Sequence, residues 1–182
     1  MGLKEFFHSI KDFRRAQGQR YKLEPVLWMI FLGISSGYTG YRELSVYMKS
    51  HKAYFTEVFS LKHGVPSHVT IRTILIGLDK PEFLTAFNTW AERQKLSPGD
   101  WLSGDGKSLN STVINAHESE QSFCSIVSLF CQRTGLVHQI ADFRSKKKSE
   151  GEILRQLLPS LQDKGVNLTL DALHCQKKQL MK

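Results

Sequence analysis

Asp105 and Asp171 are the residues whose type and position could do chemistry. Asp105 stands in Ser103-Gly104-Asp105-Gly106-Lys107, a carboxylate flanked by glycines at the end of a run, 101–107, that reads as a strand. Asp171 closes a second predicted strand, 166–171, in which Leu168 and Leu170 share one face. Right-handed crossover rules set the last strand beside the first, so the two aspartates would meet at the carboxyl ends of neighbouring strands, where open sheets gather ligands. Two carboxylates that close repel each other unless a cation such as Mg²⁺ holds them. A pair of such ions about 4 Å apart can clamp the attacking and leaving oxygens of a phosphodiester. The spacing alone leaves a second reading open, because an aspartate that ends a strand also serves as the cap of a following helix.

The elements that must position these residues follow from the hydrophobic pattern. Residues 101–107, 123–130 and 136–143 are short runs separated by turn signals such as Arg133-Thr134-Gly135, as in a three-strand meander. Ile153, Leu154, Leu157, Leu158 and Leu161 then recur at helical spacing, and Lys164-Gly165 stops that helix ahead of the fourth strand. Upstream of Ser97-Pro98-Gly99-Asp100 the pattern is helical throughout. Leu3, Phe6, Phe7, Ile10 and Phe13 step by threes and fours, a second helix spans 23–36 with Pro25 near its start, and shorter ones follow at 41–49 and 54–59. Ser67 or Thr70 caps a helix carrying Ile71, Ile74 and Leu78, and Phe83, Phe87 and Trp90 line the next. The expectation is an α/β protein of two domains: a helical domain over 1–98 and a mixed sheet over 99–182.

The balance of charge, 25 Lys plus Arg against 17 Asp plus Glu for a net +8, suits a polyanionic partner. Three cysteines, Cys124, Cys131 and Cys175, form no CxxC pair and are too few for a disulfide framework, which fits a reducing, intracellular setting. The longest apolar run, 26–34, is broken by Gly33 and is far shorter than the ~20 residues of a membrane span. It reads as a buried helix. A zinc site among His138, His174 and the cysteines lacks the usual ligand spacing, and neither a Gly-x-Ser-x-Gly elbow nor a phosphate-binding loop occurs.

From residue 12 onward the chain resembles the transposases of the H-repeat-associated insertion-sequence family. The motifs that carry the likeness are Asp12-Phe13-Arg14-Arg15 with Gly18 and Arg20, then Pro66-Ser67 with Thr70 and Arg72, then the helix of Phe83 to Trp90. In the second half they are Asp105-Gly106-Lys107, Lys148-Ser149-Glu150, Leu157-Leu158 and Thr169-Leu170-Asp171-Ala172 with Cys175-Gln176. The resemblance implies a ribonuclease H-like catalytic domain of the DDE type behind a helical, DNA-binding domain. It implies Mg²⁺- or Mn²⁺-dependent cleavage and transfer of DNA strands at transposon ends, with Asp105 and Asp171 as catalytic metal ligands. Arg14, Arg15, Arg20, Arg72 and Lys107 become candidates for contact with the DNA backbone. Double-stranded DNA is the implied partner, self-association or pairing with an intact transposase a further one, and the bacterial nucleoid in the cytoplasm the implied location. The family's third acidic ligand lies downstream of the second, and no Asp or Glu follows Asp171 here. The resemblance therefore implies an incomplete, C-terminally truncated sheet with little or no cleavage activity, or a remnant that binds DNA or inhibits an intact transposase without cutting.

Overall fold

The structure, a computed structural model, describes residues 2–114, 122–144 and 150–170. The chain forms two compact units, Met1–Ala86 and Phe87–Lys182.

The first unit is helical: α1 (Leu3–Ser9), a 3-10 turn (Ala16–Gly18), α2 (Leu23–Ser35), α3 (Tyr41–Ser50), α4 (Lys52–Phe59), α5 (His68–Gly77) and the start of α6 (Lys80–Glu92). Helix α2 carries Glu24 in its first turn, where negative charge suits the helix dipole and where its carboxylate lies 3.0 Å from His8 Nδ1, and buries Val26, Leu27, Met29 and Ile30. Gly33 brings α3 close, since a Cβ there would lie 2.5 Å from Cδ2 of Leu44. Helix α3 starts where the Glu43 carboxylate accepts the N–H groups of Thr39 and Gly40 at 3.1 and 3.0 Å, and α5 where the Ser67 hydroxyl accepts the Thr70 N–H. Leu44, Met48, Phe55, Ile71 and Ile74 complete the core. Helix α4 begins two residues earlier than the apolar pattern indicates, because the His51 carbonyl accepts the Phe55 N–H and takes Lys52 into the first turn. No helix of the described residues is long and apolar enough to cross a membrane.

The second unit is a four-stranded mixed sheet: β1 (Trp101–Ile114), β2 (Ser122–Cys131), β3 (Leu136–Arg144) and β4 (Asn167–Leu170), in the order β3-β2-β1-β4. The meander β1-β2-β3 is antiparallel, and β4 lies parallel to β1. A parallel neighbour needs a crossover, supplied here by α7 (Glu150–Leu157) and a 3-10 turn (Leu158–Leu161). Helix geometry tightens at that turn, where Pro159 offers no N–H. Ile153, Leu154 and Leu161 pack on Leu102, Val127, Leu129, Cys131 and Phe143. Strand β1 continues past Lys107 to Ile114. Lys107, Ser108 and Leu109 still pair with Ile126, Ser125 and Cys124, and the Ser108 and Ser125 hydroxyls lie 2.9 Å apart.

Two devices fix the borders of the sheet. At the start of β1, Asp100 is buried and accepts from the Arg133 guanidinium and from the Ser97 N–H, while its carbonyl accepts the Asn167 N–H at 2.7 Å. On β3, the side-chain amide of Asn88 both donates to and accepts from the backbone of Ile140, each at 2.8 Å. Asn88 lies on α6, and the two compact units divide within that helix, ahead of the turn at Ser97 to Asp100.

Candidate active site

The strand alternation of β1 decides which residues reach solvent. Leu102 is buried in the core under α7, and Gly104 is buried two residues on. Asp105 and Lys107 therefore take the opposite face, and both are exposed. Asp105 pairs across β2 with Ser128. Beside it the face is polar: the hydroxyls of Ser103 and Thr169 are 3.0 Å apart, and the Gln132 amide donates to Ser103 at 3.0 Å. Lys107 stands opposite Ile126, which pairs in turn with Asp142 of β3.

Gly104 explains how β4 is seated. In the parallel register it pairs with Leu170, and a Cβ at Gly104 would lie 2.5 Å from Cδ2 of Leu170 and 3.2 Å from Cδ2 of Leu154. The missing side chain is the space those two leucines fill. A glycine weakens a strand, and here the weakness is offset by close approach of a neighbour. Asp105 follows Gly104 and Asp171 follows Leu170 in the sequence; Asp171 lies outside the described residues.

Asp105 offers one hard oxygen donor of the kind Mg²⁺ takes. Among the described residues no group of three or more His, Cys, Asp or Glu side chains could hold a metal ion, so these residues do not by themselves complete a coordination shell.

The basic candidates differ in accessibility. Arg15, Arg20 and Arg72 are exposed, as is Lys107. Arg14 is turned inward, with only 7% of its side chain accessible. Its guanidinium grips both oxygens of Asp12 at 2.8 and 2.7 Å and donates to the Tyr21 carbonyl at 2.8 Å. That bonding holds the Asp12 carboxyl below the usual carboxylate range. Arg14 thus shapes the basic loop from within. The Asp-x-Arg spacing of Asp12 and Arg14 was the available signal.

The surroundings of three further polar groups are apparent only in the fold. The guanidinium of Arg133, with the Ser97 N–H, draws the Asp100 carboxyl down to about 2. His138 is buried on β3, neither ring nitrogen has a hydrogen-bond partner among the described residues, and burial followed by the nearby Lys164 lowers its pKa against the opposing pull of Glu92. Gln139 links the Glu92 carboxylate, 3.2 Å from its amide, to the Ser160 hydroxyl at 2.8 Å. These groups organise the sheet unit away from Asp105.

Comparison with known proteins gives the lineage. Residues 4–91 match the DDE_Tnp_1-associated family. Over 96% of its length the chain is 24% identical to the "H repeat-associated putative transposase YbfD" of Escherichia coli (strain K12) and 25% identical to the protein of the same description, YhhI. It spans 68% of YbfD but only 46% of YhhI. No solved structure matches. The helical match and the likeness to YbfD and YhhI across both units agree with the motifs around Arg14, Asp105 and Asp171: the chain is similar to the H repeat-associated putative transposases along nearly its whole length.

Proposed function

We propose that the chain acts in DNA transposition and that its sheet unit is the first part of a DDE-type, ribonuclease H-like catalytic domain. In this reading Asp105, inside β1, and Asp171, the residue after β4, are metal ligands on adjacent parallel strands. The observation that carries it is the register of β1 and β4, in which Gly104 faces Leu170, the residues that precede the two aspartates. Asp105 and Asp171 would hold Mg²⁺ or Mn²⁺, which would activate the attacking oxygen and neutralise charge on the phosphodiester as it breaks. The chain's own part is to hold one carboxylate on the exposed face of the sheet and to present Lys107, two residues on, as a cation for a neighbouring phosphate. Double-stranded DNA at transposon ends is the substrate.

A second reading is favoured by the exposed Arg15, Arg20 and Arg72 of the helical unit: the chain binds DNA, or pairs with an intact transposase and blocks it, without cutting. Incubation of supercoiled plasmid carrying the element's ends with Mg²⁺ or Mn²⁺ separates the two. Cleavage lost in both Asp105→Asn and Asp171→Asn supports the enzyme. Binding without metal-dependent cleavage supports the remnant, and cleavage that survives both substitutions refutes the assignment of the two aspartates.

A further inference from the structure

The helical unit presents one surface built for a polyanion. Helix α5 buries Ile71 and Ile74 and turns His68, Val69, Arg72, Thr73 and Ile76 to solvent; Val69 and Ile76 are 58 and 59% exposed. A groove of about 560 Å³ separates this face from α3, bounded by Tyr41, Arg42 and Glu43 on one side and His68, Val69 and Arg72 on the other. The carboxylate in it is occupied, since Glu43 accepts two backbone N–H groups at the start of α3.

The second observation is how the basic loop reaches the same surface. Arg14, clamped by Asp12, fixes the Tyr21 carbonyl, and the Tyr21 hydroxyl lies 3.3 Å from the His63 carbonyl and 3.4 Å from that of Val65, on the loop that leads into α5. Arg20 and Lys22, which flank Tyr21, are exposed, as are Lys62 and His63. Lys52 lies against Gly64 of the same loop. Two loops distant in sequence are thus tied through Tyr21 at the segment that leads into α5, and both carry exposed cations.

We propose that α5 reads duplex DNA: its outward face enters the major groove while Arg20, Lys22 and Lys62 contact phosphates on either side. A ten-residue helix is about 15 Å long and, with side chains, about as wide as the roughly 12 Å major groove. Arg72 is the residue type that pairs with guanine edges, and Val69, Thr73 and Ile76 are types that meet thymine methyls. An acidic peptide would satisfy the cations but leave Val69 and Ile76 without apolar partners. The proposal rests on the transposition reading for its choice of DNA, yet it uses none of the residues of the sheet unit.

The test is fluorescence anisotropy of the 182-residue chain with a mixed-sequence duplex of about 30 base pairs, over a series of salt concentrations, with far-UV circular dichroism to check that each variant keeps its helices. Each lost phosphate contact should lower the slope of log K against log salt by about 1 and weaken binding about eightfold near 0.1 M salt. The double variant Arg20→Ala/Lys22→Ala should therefore bind tens of times more weakly, and Arg72→Ala about tenfold more weakly. Arg155→Ala on α7 removes the same charge elsewhere and should cost at most a small fraction of that. Failure of the parent chain to bind duplex, equal losses in Arg155→Ala and Arg72→Ala, or competition by poly-glutamate at equal charge would each overturn the proposal. Binding that depends on Arg72 without cleavage would leave it standing and refute only the catalytic reading; cleavage with Arg72→Ala binding intact would do the reverse.

Discussion

Replacing Gly104 with alanine should loosen the strand that carries Leu170 into the site. The new methyl would sit 2.5 Å from Cδ2 of Leu170, 3.2 Å from Cδ2 of Leu154 and 3.4 Å from Cδ2 of Leu129. Carbon atoms in contact prefer about 3.5–4.0 Å, so the first clash falls short by about 1 Å. Overpacking of this kind costs about 1–3 kcal/mol, and the lower chain entropy of alanine returns about 0.5–1 kcal/mol. With a shortfall of about 1 Å the overpacking falls at the upper part of that range, about 2–3 kcal/mol, so a net loss of about 1–2.5 kcal/mol follows, which would move a urea midpoint down by roughly 0.5–1.2 M if m is about 2 kcal/mol/M. In a Leu170→Ala background the same methyl has room, so Gly104→Ala should cost about 1–2 kcal/mol less there than in the parent. Under the proposed function β4 would shift while Asp105 stays, and any metal-dependent DNA cleavage should then fall by more than stability alone accounts for. A Gly104→Ala protein as stable as its parent, or a cycle with no coupling, would refute the close-approach argument.

Other expected outcomes follow from the buried polar groups. Arg14→Ala should cost about 2 kcal/mol, measured by urea unfolding, because it strands the partly buried Asp12 and frees the loop of residues 15–22. Its effect on DNA affinity at low salt should be indirect, and restored by Arg14→Lys only in part, since lysine lacks the two-pronged fit to the carboxylate. Asp100 has a folded-state pKa lowered from 3.8 to about 2, so its carboxylate contributes stability that is fully present above about 4 and is lost as pH falls toward 2. Asp100→Asn should flatten that acid limb. His138 is depressed from 6.5, so the unfolded chain takes up the proton first and stability should decline as pH drops below 6.5; His138→Leu should remove that slope in thermal melts between pH 7 and 5.

The helices were legible because their apolar residues sit at clean three- and four-residue steps and their starts carry identifiable caps, as at Ser67. The sheet order was legible as well: three strands, a helix and a fourth strand require a crossover that brings the last strand beside the first, and β4 does pair with β1. Other features were hidden because they depend on partners far away in sequence. The stretch Ser108-Leu109-Asn110-Ser111-Thr112 is mostly polar, and the pairing of Ser108 and Leu109 with Ser125 and Cys124 on β2 carries β1 past Lys107 before the register shifts. Gly104 reads as a weak point in a strand until Leu170 is seen against it. Arg14 and Arg15 are adjacent and chemically identical, yet one is 7% accessible and bonded inward while the other is exposed; no pattern of residue types separates them except the aspartate two positions ahead of Arg14. Asp100 and Arg133 find each other only through the antiparallel return of β2, and neither stands out alone.

The carboxamide of Asn88 has a consequence for assembly. With one donor and one acceptor in fixed geometry, it behaves toward Ile140 as a single peptide unit of a fifth strand would, without being one. A passing segment of another molecule that tried to zip along β3 would meet a paired position midway and lose its register there. One amide on α6 thus interrupts the β3 edge at Ile140, so that a strand laid along β3 could not pair continuously past it.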